Sequence, residues 1–209
     1  MSTSELGFTN GTLLEYPTLF FAGDLSLLKI EAVAIVGSRE ASKAGCDRAA
    51  VLARSLVRCG VVVMSGLAAG IDGAAHTSAI REGGKTVAVV GTGLDKVYPS
   101  EHASLQEQIY REHLLISPFA SGGRFFPSFF PRRNKLMARL ALATVVIEAG
   151  DTSGTLHQIV ASLEYGRPVF IAKSVVDDSK VTWPKRFLGK PGVHVLERAS
   201  DVCDVVLSR

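Results

Sequence analysis

The sequence predicts an α/β fold, a doubly wound and mostly parallel sheet of the extended Rossmann-like type with helices on both faces. Three observations support this fold class. Continuous apolar runs of the length of a buried strand recur along the chain. Segments with helical spacing of apolar residues alternate with these runs, which is the order of parallel strands joined by right-handed crossovers. Glycine-rich turns follow several of the runs, at the positions where such sheets bind ligands.

The predicted elements follow one another along the whole chain. Residues 1–30 are expected to form an N-terminal strap on the core, with an edge strand within 18–23, and residues 31–209 to form the Rossmann-like domain. Residues 117–131 and 173–192 are predicted as loops. Buried strands are predicted at residues 32–36, 61–64, 86–90, 114–116, 144–147 and 168–172, with a closing strand at 193–196. Helices are expected to end near Cys59, Glu82, Glu112, Leu142, Tyr165 and Leu207, the fourth of them beginning near Pro131.

Composition indicates a globular protein without membrane contact. The 209 residues fit one domain, and a hydrophobic content of 47% is too high for disorder. The net charge of +3 permits a polyanionic partner without requiring one. Cys46, Cys59 and Cys203 are far apart and lack a Cys-x-x-Cys spacing, so neither a disulfide framework nor a zinc site is expected. No signal peptide and no apolar run of membrane-spanning length stand out, which predicts a cytoplasmic location.

Four turns of similar composition are expected on the rim that the carboxyl ends of the strands form. Each combines glycine with a hydroxylated residue, and one of them adds an arginine. Backbone N–H and hydroxyl groups at strand-to-helix turns bind phosphate, although glycine also occurs at such turns for packing alone. The candidate phosphate-binding residues are Gly37, Ser38, Arg39, Ser65, Gly66, Gly91, Ser153, Gly154 and Thr155.

The segment from Gly122 to Lys135 combines four phenylalanines with four cations. Single-stranded nucleic acid is bound by this combination, because bases stack on aromatic rings while cations contact the backbone. The phenylalanines could equally anchor a long loop to the core. The cations at the predicted helix start oppose the helix dipole, which favours a functional role for them. The candidate nucleic-acid contacts here are Arg132, Arg133, Asn134 and Lys135.

Three further titratable residues allow a functional and a structural interpretation. Asp72 and His76 lie four apart on one predicted helix and could form an acid–base pair. The alternative is that Asp72 orients the preceding turn while His76 packs in the core. Glu148 ends a strand beside the rim, where it could bind a ribose hydroxyl or order the loop through backbone N–H groups. Neither metal-ligand spacing nor a Walker A lysine is found, so no metal and no cofactor are expected.

Ordered motifs cover most of the chain, from about Tyr16 to Asp201. They are Ile35-Val36-Gly37-Ser38-Arg39, Ser65-Gly66-Leu67-Ala68 with Gly70-Ile71-Asp72 and Ala75-His76, Gly83-Gly84-Lys85-Thr86, Gly91-Thr92-Gly93-Leu94-Asp95 with Tyr98-Pro99, Phe130-Pro131-Arg132-Arg133-Asn134, Glu148-Ala149 with Ser153-Gly154-Thr155-Leu156, and Gly166-Arg167. In this order they resemble the DNA-processing protein A family (DprA, also called Smf). The resemblance implies a Rossmann-like core that binds single-stranded DNA without catalysis, forms homodimers and helps load the RecA recombinase during natural transformation.

The chain also departs from the family pattern. Ala69 stands where an arginine is common in the family, and Lys135 stands for the second arginine of an Arg-Asn-Arg element. Ser117-Pro118 replaces a usual Ser-Glu, and Ala172-Lys173-Ser174 follows the last core strand in place of Pro-Gly. These departures concern the contacts with DNA and RecA more than the fold.

A second resemblance supports a competing function. The stretch from Arg133 to Thr155 is similar to the LOG-type phosphoribohydrolases, which cleave the base from nucleoside monophosphates. Their essential glutamate would fall on Gln158, and an amide cannot serve as the required carboxylate. A third reading is a sensor that binds a nucleotide-derived ligand in the same crevice. The sequence therefore favours a non-enzymatic protein that binds single-stranded DNA, with these two functions as alternatives.

Overall fold

The computed structural model describes residue 16, residues 18–124 and residues 126–208. Its strands are β1 (Phe20–Gly23), β2 (Ala32–Gly37), β3 (Val62–Ser65), β4 (Thr86–Val89), β5 (Leu114–Ser117), β6 (Ala143–Glu148), β7 (Val169–Ala172) and β8 (Val193–Leu196). Its helices are α1 (Lys43–Arg58), α2 (Ile71–Arg81), α3 (Ala103–Glu112), α4 (Phe129–Leu140), α5 (Thr155–Glu164), α6 (Lys173–Val176) and α7 (Ser200–Leu207). Short 3₁₀ turns lie at Leu25–Lys29, Ser100–His102 and Trp183–Arg186.

All eight strands join one sheet in the order β1-β5-β4-β3-β2-β6-β7-β8. β1 pairs with β5 in antiparallel orientation, and every other pair is parallel. The chain winds outward from β2 to β5 and then returns to place β6 on the other side of β2. The strand order therefore reverses between β2 and β6, and a ligand is expected outside the carboxyl ends of these two strands.

Alternate residues of each strand pack on opposite faces of the sheet, as the pleat requires. In β2, Val33 and Ile35 pack with α1, α2 and α7, whereas Ala34 and Val36 pack with α4 and α5. α3 covers the same face as α1 and α2, through Ile109. The sheet is thus buried between two helical layers, which explains why its central strands are continuous apolar runs.

The structure confirms the predicted fold class and most predicted elements. α4 begins at Phe129, two residues earlier than expected. Pro131 falls in its first turn, where a residue without an N–H is tolerated because that group would have no partner in the helix. Residues 173–192 are only partly loop, since they contain α6 and a 3₁₀ turn. Trp183 and Phe187 of this segment are buried in the core. This tertiary contact could not be predicted from the sequence, because the segment has no periodic apolar pattern.

The described part of the expected N-terminal strap packs on the core. Leu19 and Leu27 are buried, and the Tyr16 hydroxyl donates to the Arg132 carbonyl at 2.7 Å. Residues 1–15 and 17 lie outside the described residues, and the domain boundary at residue 30 stays a prediction. Within the described ranges, no helix is long and apolar enough to span a membrane.

Candidate nucleic-acid interface

A cavity of about 480 Å³ lies at the reversal point of the sheet, beyond the carboxyl ends of β2 and β6. Its walls are the loop after β2, the loop between β6 and α5, the first turns of α4, and the turn between β3 and α2 with Ala68 and Asp72. The predicted site residues that line it are Gly37, Ser38, Arg39, Arg133, Asn134, Ser153, Gly154 and Thr155. Five predicted site residues lie outside this lining, namely Ser65, Gly66, Gly91, Arg132 and Lys135.

Glu148 orders the loop that follows β2. Its carboxylate accepts hydrogen bonds from the Ser42 N–H at 2.8 Å and from the Ser42 hydroxyl at 2.6 Å. Arg48 contacts the same carboxylate at 3.5 Å, and the Glu148 carbonyl accepts the Ser38 N–H at 2.7 Å. Of the two roles predicted for Glu148, the structure shows the loop-ordering contacts, which hold Ser38 at the cavity wall.

In the glycine-rich turn after β3, two N–H groups, including that of the predicted phosphate-binding residue Gly66, are already used within the turn. The Asp72 carboxylate accepts the N–H of Gly66 at 3.1 Å and of Ala68 at 3.3 Å. Burial raises the pKa of Asp72, while the positive charge of Arg133 acts to lower it. Ser65 is fully buried, and its hydroxyl donates to the Ile35 carbonyl at 2.6 Å. Asp72 therefore orients the turn, the second of its two predicted roles, and Ser65 faces the neighbouring strand.

Two residues of this turn have a positive φ, and one of them lies against the loop after β2. Leu67 has a φ of +60°, a value uncommon for a side chain that branches, and its carbonyl accepts a hydrogen bond from His102 Nδ1 at 3.0 Å. Gly70 has a φ of +72°, and a Cβ there would overlap the Ser38 carbonyl oxygen. Glycine is thus required at Gly70 because the two loops touch through their backbones.

Arg133 lines the cavity but is largely buried, with only 4% of its surface exposed. Its Nη1 donates to the Val89 carbonyl at 2.7 Å. A Cβ on Gly66 would overlap the Arg133 guanidinium, so the glycine turn leaves room for this side chain. Burial lowers the pKa of Arg133 to about 10, and the charge of Asp72 acts in the opposite direction. Arg133 consequently stays a cation at neutral pH and places positive charge at the cavity wall.

A stack of aromatic rings and guanidinium groups borders the mouth of the cavity. The exposed Arg39 has its Cζ 4.5 Å from the centroid of the Phe130 ring and 5.8 Å from that of Tyr98. These distances are those of cation–π contacts. A Cβ on Gly91 would lie 2.9 Å from the Phe130 ring, so Gly91 serves the packing of that ring. Phe130 is an anchor of the loop and, at the same time, the platform on which Arg39 rests.

The remaining aromatic residues of the loop divide between anchoring and exposure. Phe119 and Phe129 stack at a centroid distance of 3.9 Å, and Arg132 places its Cζ 5.4 Å above Phe119. Phe126 packs edge-on against Phe129 yet stays 49% exposed. Phe125 lies outside the described residues. Most of the described rings therefore anchor the loop, as the second interpretation predicts, whereas the exposed part of Phe126 leaves base stacking a prediction.

The start of α5 forms the wall opposite Arg39. The Ser153 hydroxyl accepts the Thr155 N–H at 3.2 Å, and the Thr155 hydroxyl lies 3.4 Å from the Gly37 carbonyl that accepts its hydrogen bond. Asn134 Nδ2 donates to the Gly154 carbonyl at 3.2 Å, which ties α4 to α5. Small polar groups at a helix start favour an anion because the helix dipole is positive there.

The side chains considered above for catalysis, His76 and the position of Gln158, are buried and form hydrogen bonds within the protein. His76 is fully buried with its Nδ1 2.6 Å from the Thr86 hydroxyl, and burial lowers its pKa to about 3, so it forms no acid–base pair with Asp72. Gln158 is also fully buried; with its amide oriented to satisfy both atoms, it donates to the Asn134 carbonyl at 2.7 Å and accepts the Ala138 N–H at 3.1 Å. Among the described residues, no cluster of His, Cys, Asp and Glu could hold a metal ion.

A family model described as DNA recombination-mediator protein A matches residues 12–206. The chain belongs to this family. The DNA processing protein DprA of Streptococcus pneumoniae is 43% identical to this chain, and the match covers 76% of this chain and 56% of the relative. The protein Smf of Synechocystis is 40% identical, and the match covers 74% of this chain and 40% of the relative. The chain thus spans about half the length of these relatives or less.

Solved structures of the same family share the fold. The X-ray structure of DprA from S. pneumoniae has a TM-score of 0.82 at 38% identity, covering 89% of this chain and 65% of that one. DprA from Helicobacter pylori, described for its single-stranded DNA binding mode, has a TM-score of 0.80 at 25% identity over 91% of this chain and 86% of that one. The molybdenum cofactor carrier protein of Chlamydomonas reinhardtii shares the fold alone. Its structure has a TM-score of 0.60 at 16% identity, covering 86% of this chain and 97% of that one.

Two departures from the family pattern lie close to the cavity. Ala69 is half-buried on the turn that contacts the loop after β2, so it leaves the mouth without a cation there. Lys135 is half-buried on α4 outside the cavity lining. In this chain, the cations in the cavity lining are Arg39 and Arg133.

Proposed function

We propose that this chain binds single-stranded DNA, without catalysing a reaction, in the cavity at the carboxyl ends of β2 and β6. One observation carries the proposal. The exposed Arg39 lies over the Phe130 ring at the mouth, while the largely buried Arg133 lines the interior of the same cavity. Two cations at different depths, beside an aromatic loop, match the combination with which proteins bind single strands. The described binding mode of the H. pylori relative supports this choice of ligand.

The proposed contacts follow from the cavity lining. Arg39 and Arg133 bind successive phosphates electrostatically, and the start of α5 with its Ser153 hydroxyl accommodates a phosphate oxygen. Asn134 orients the α5 start through the Gly154 carbonyl. Arg132 and Lys135 are outer contacts, and Phe126 stacks on a base. Ser65, Gly66 and Gly91 support the site by packing, and we leave them out of the contact set.

The absence of catalysis is supported by how the candidate groups are used. The Asp72 and Glu148 carboxylates each accept backbone N–H groups, and Gln158 presents an amide where hydrolysis would need a carboxylate. We also propose, from family membership, that the chain acts as a homodimer in the cytoplasm and delivers DNA to RecA during natural transformation.

A second candidate is a nucleotide-derived ligand in the same cavity. The observation that favours it is the cavity volume of about 480 Å³, which lies within the usual range for small-molecule sites. Such a ligand would use the same phosphate contacts, so it would compete with DNA.

Fluorescence anisotropy with a labelled oligonucleotide tests both candidates. The proposal predicts saturable binding to a single strand and weaker binding to the same sequence as a duplex. Nucleoside mono- or triphosphates are then added as competitors. No binding of the single strand at low salt would overturn the proposal, and displacement by a nucleotide at low concentration would favour the second candidate. Release of free base from a nucleoside monophosphate would reopen the enzymatic alternative.

A further inference from the structure

Four exposed cations lie between residues 180 and 190, in the second part of the segment that joins β7 to β8 and outside the cavity described above. They are Lys180, Lys185, Arg186 and Lys190, which we call the 180–190 ridge. All four are exposed, and residues 180–190 contain no aspartate or glutamate. Within the part of the chain that the structure describes, none of the four forms an ion pair. The ridge therefore carries a net positive charge, which the Asp151 carboxylate near Arg186 offsets only in part.

The backbone of the ridge is held rigidly against the cavity wall. The Asp151 carboxylate accepts the N–H groups of Thr182 and Trp183, each at 2.9 Å, and the Thr182 hydroxyl at 3.1 Å. These hydrogen bonds lower the pKa of Asp151, and the charge of Arg186 contributes in the same direction. Trp183 is buried and donates from Nε1 to the Ala149 carbonyl at 2.8 Å. Asp151 belongs to the loop between β6 and α5, so the ridge and the cavity share this support.

The surface between the cavity and the ridge is continuous. A second cavity of about 440 Å³ shares Ser38 and Gly150 with the first and reaches Asp178 and Val181 at its other end. From there the chain runs to the amino ends of the strands. At that end the Gly192 carbonyl accepts a hydrogen bond from the N–H of Val169, the first residue of β7, at 2.8 Å. The ridge thus starts beside the candidate site and continues down the side of the sheet.

The chemistry of the ridge fits a polyanion better than a protein partner. Arg186 and Lys190 lie near the ring of the buried Phe187, with Cζ and Nζ at 5.7 Å and 5.3 Å from its centroid. Both charged groups thus lie at cation–π distances from the ring, while the two side chains remain exposed. No large hydrophobic residue between 180 and 190 is exposed, whereas protein interfaces have an apolar core.

We propose that the 180–190 ridge is a second binding surface for single-stranded DNA, which contacts backbone phosphates of the strand after it leaves the cavity past Gly150. This inference rests on the proposed function of the cavity. It predicts that affinity rises with strand length, because only a long strand reaches the ridge.

The test compares two lengths of oligothymidylate, about six and about thirty nucleotides, by anisotropy at several salt concentrations. The ridge variant is Lys185→Ala/Arg186→Ala/Lys190→Ala, in which only exposed side chains change. A matched control, Lys29→Ala/Arg81→Ala/Lys85→Ala, removes the same charge from exposed positions near the amino ends of the strands, where these three side chains also form no ion pair within the described residues. The ridge variant should bind the short strand like the wild type and the long strand at least about tenfold more weakly, with a salt slope smaller by about 2. The control should change both affinities equally and only slightly.

Each other outcome contradicts the inference in a different way. Wild-type affinity for the long strand in the ridge variant overturns the second surface and leaves the cavity proposal standing. Equal losses for both lengths, or an equal loss in the control, assign the effect to folding or to overall charge and also overturn it. Tighter binding of an acidic polyglutamate peptide than of DNA would identify a protein-type partner in place of the strand. Failure of the wild type to bind either length removes the proposed function itself.

Discussion

The guanidinium of Arg133 occupies the space that a side chain on Gly66 would need. These residues belong to separate turns, and the contact explains a glycine that the sequence alone assigns to phosphate binding. Arg133 is fixed from three directions, by Gly66, by the Val89 carbonyl and by the charge of Asp72. The turn after β3 therefore contributes to the cavity by positioning a cation rather than by offering its own N–H groups.

Gly66→Ala should displace Arg133 and weaken DNA binding. The added Cβ overlaps the guanidinium, so we expect a loss of about 1–3 kcal/mol in the free energy of unfolding, as for other overpacked cores. Chemical denaturation and oligonucleotide anisotropy measure the two effects. Gly123→Ala is the control, because the nearest atom to its Cβ is the Ala120 carbonyl oxygen at 3.5 Å. Wild-type stability and affinity in Gly66→Ala would contradict the packing described here.

His76 should make the protein sensitive to acid. Burial lowers its folded-state pKa to about 3 from 6.5, so below pH 6.5 the unfolded chain binds a proton that the folded chain does not. Its contribution to stability is present above pH 6.5 and is lost as the pH falls towards 3, at about 1.4 kcal/mol per pH unit. The pKa of His113 is lowered in the same direction, mainly by burial, and adds to the effect. Chemical denaturation between pH 7 and pH 4 measures the slope of the free energy of unfolding against pH. This slope should be shallower in His76→Gln than in the wild type, and the control is a substitution of the exposed His157, His157→Gln, which should keep the wild-type slope. An identical slope in all three proteins would contradict the assignment.

Gln158→Glu should fail to create a hydrolase. The present amide donates to the Asn134 carbonyl, so a buried carboxylate there would face an acceptor and cost about 1–3 kcal/mol. We expect lower stability and no free base from nucleoside monophosphates, as measured by chromatography. Base release by this variant, with none from the wild type, would show that only one atom separates the site from the phosphoribohydrolase chemistry.

Ala69→Arg should strengthen binding. Ala69 is half-buried and follows Ala68, which lines the cavity, so an arginine at this position would add a cation beside the proposed site. One additional phosphate contact would increase the magnitude of the salt slope by about 0.7. Ala69→Gln supplies similar length without charge and should leave the slope unchanged. Equal slopes in the wild type and Ala69→Arg would place the strand away from this turn.

The fold was predictable because the signals that specify it are local and repeated. Each buried strand is a short apolar run, and the parallel order then brings Gly37–Arg39 and Ser153–Thr155 to one edge without further information. The use of Gly66 was not predictable, because it depends on Arg133 far away in the chain. Nor could the sequence show that Asp72 already binds the turn's N–H groups.

The segment between β7 and β8 shows both a limit of sequence patterns and a pattern that the sequence displays openly. Residues 173–192 lack periodicity, which predicts a loop, although the side chains of Trp183 and Phe187 are buried in the core. The run of cations without acids between 180 and 190 is visible in the sequence and marks the surface that the structure places beside the cavity. Tyr98, which forms the ring stack with Phe130 and Arg39, was recognised only as part of a family motif.

The salt dependence of single-strand binding by the wild type and Arg39→Ala tests the central claim most directly. Arg39 is exposed, so its removal should leave the fold intact, and Arg111→Ala at the opposite edge of the sheet is the matched control. The account predicts weaker binding by Arg39→Ala, with a slope of log affinity against log salt that is smaller in magnitude by about 0.7, and no change in the control. Equal affinity and equal slope in the wild type and Arg39→Ala would contradict a strand bound at this cavity.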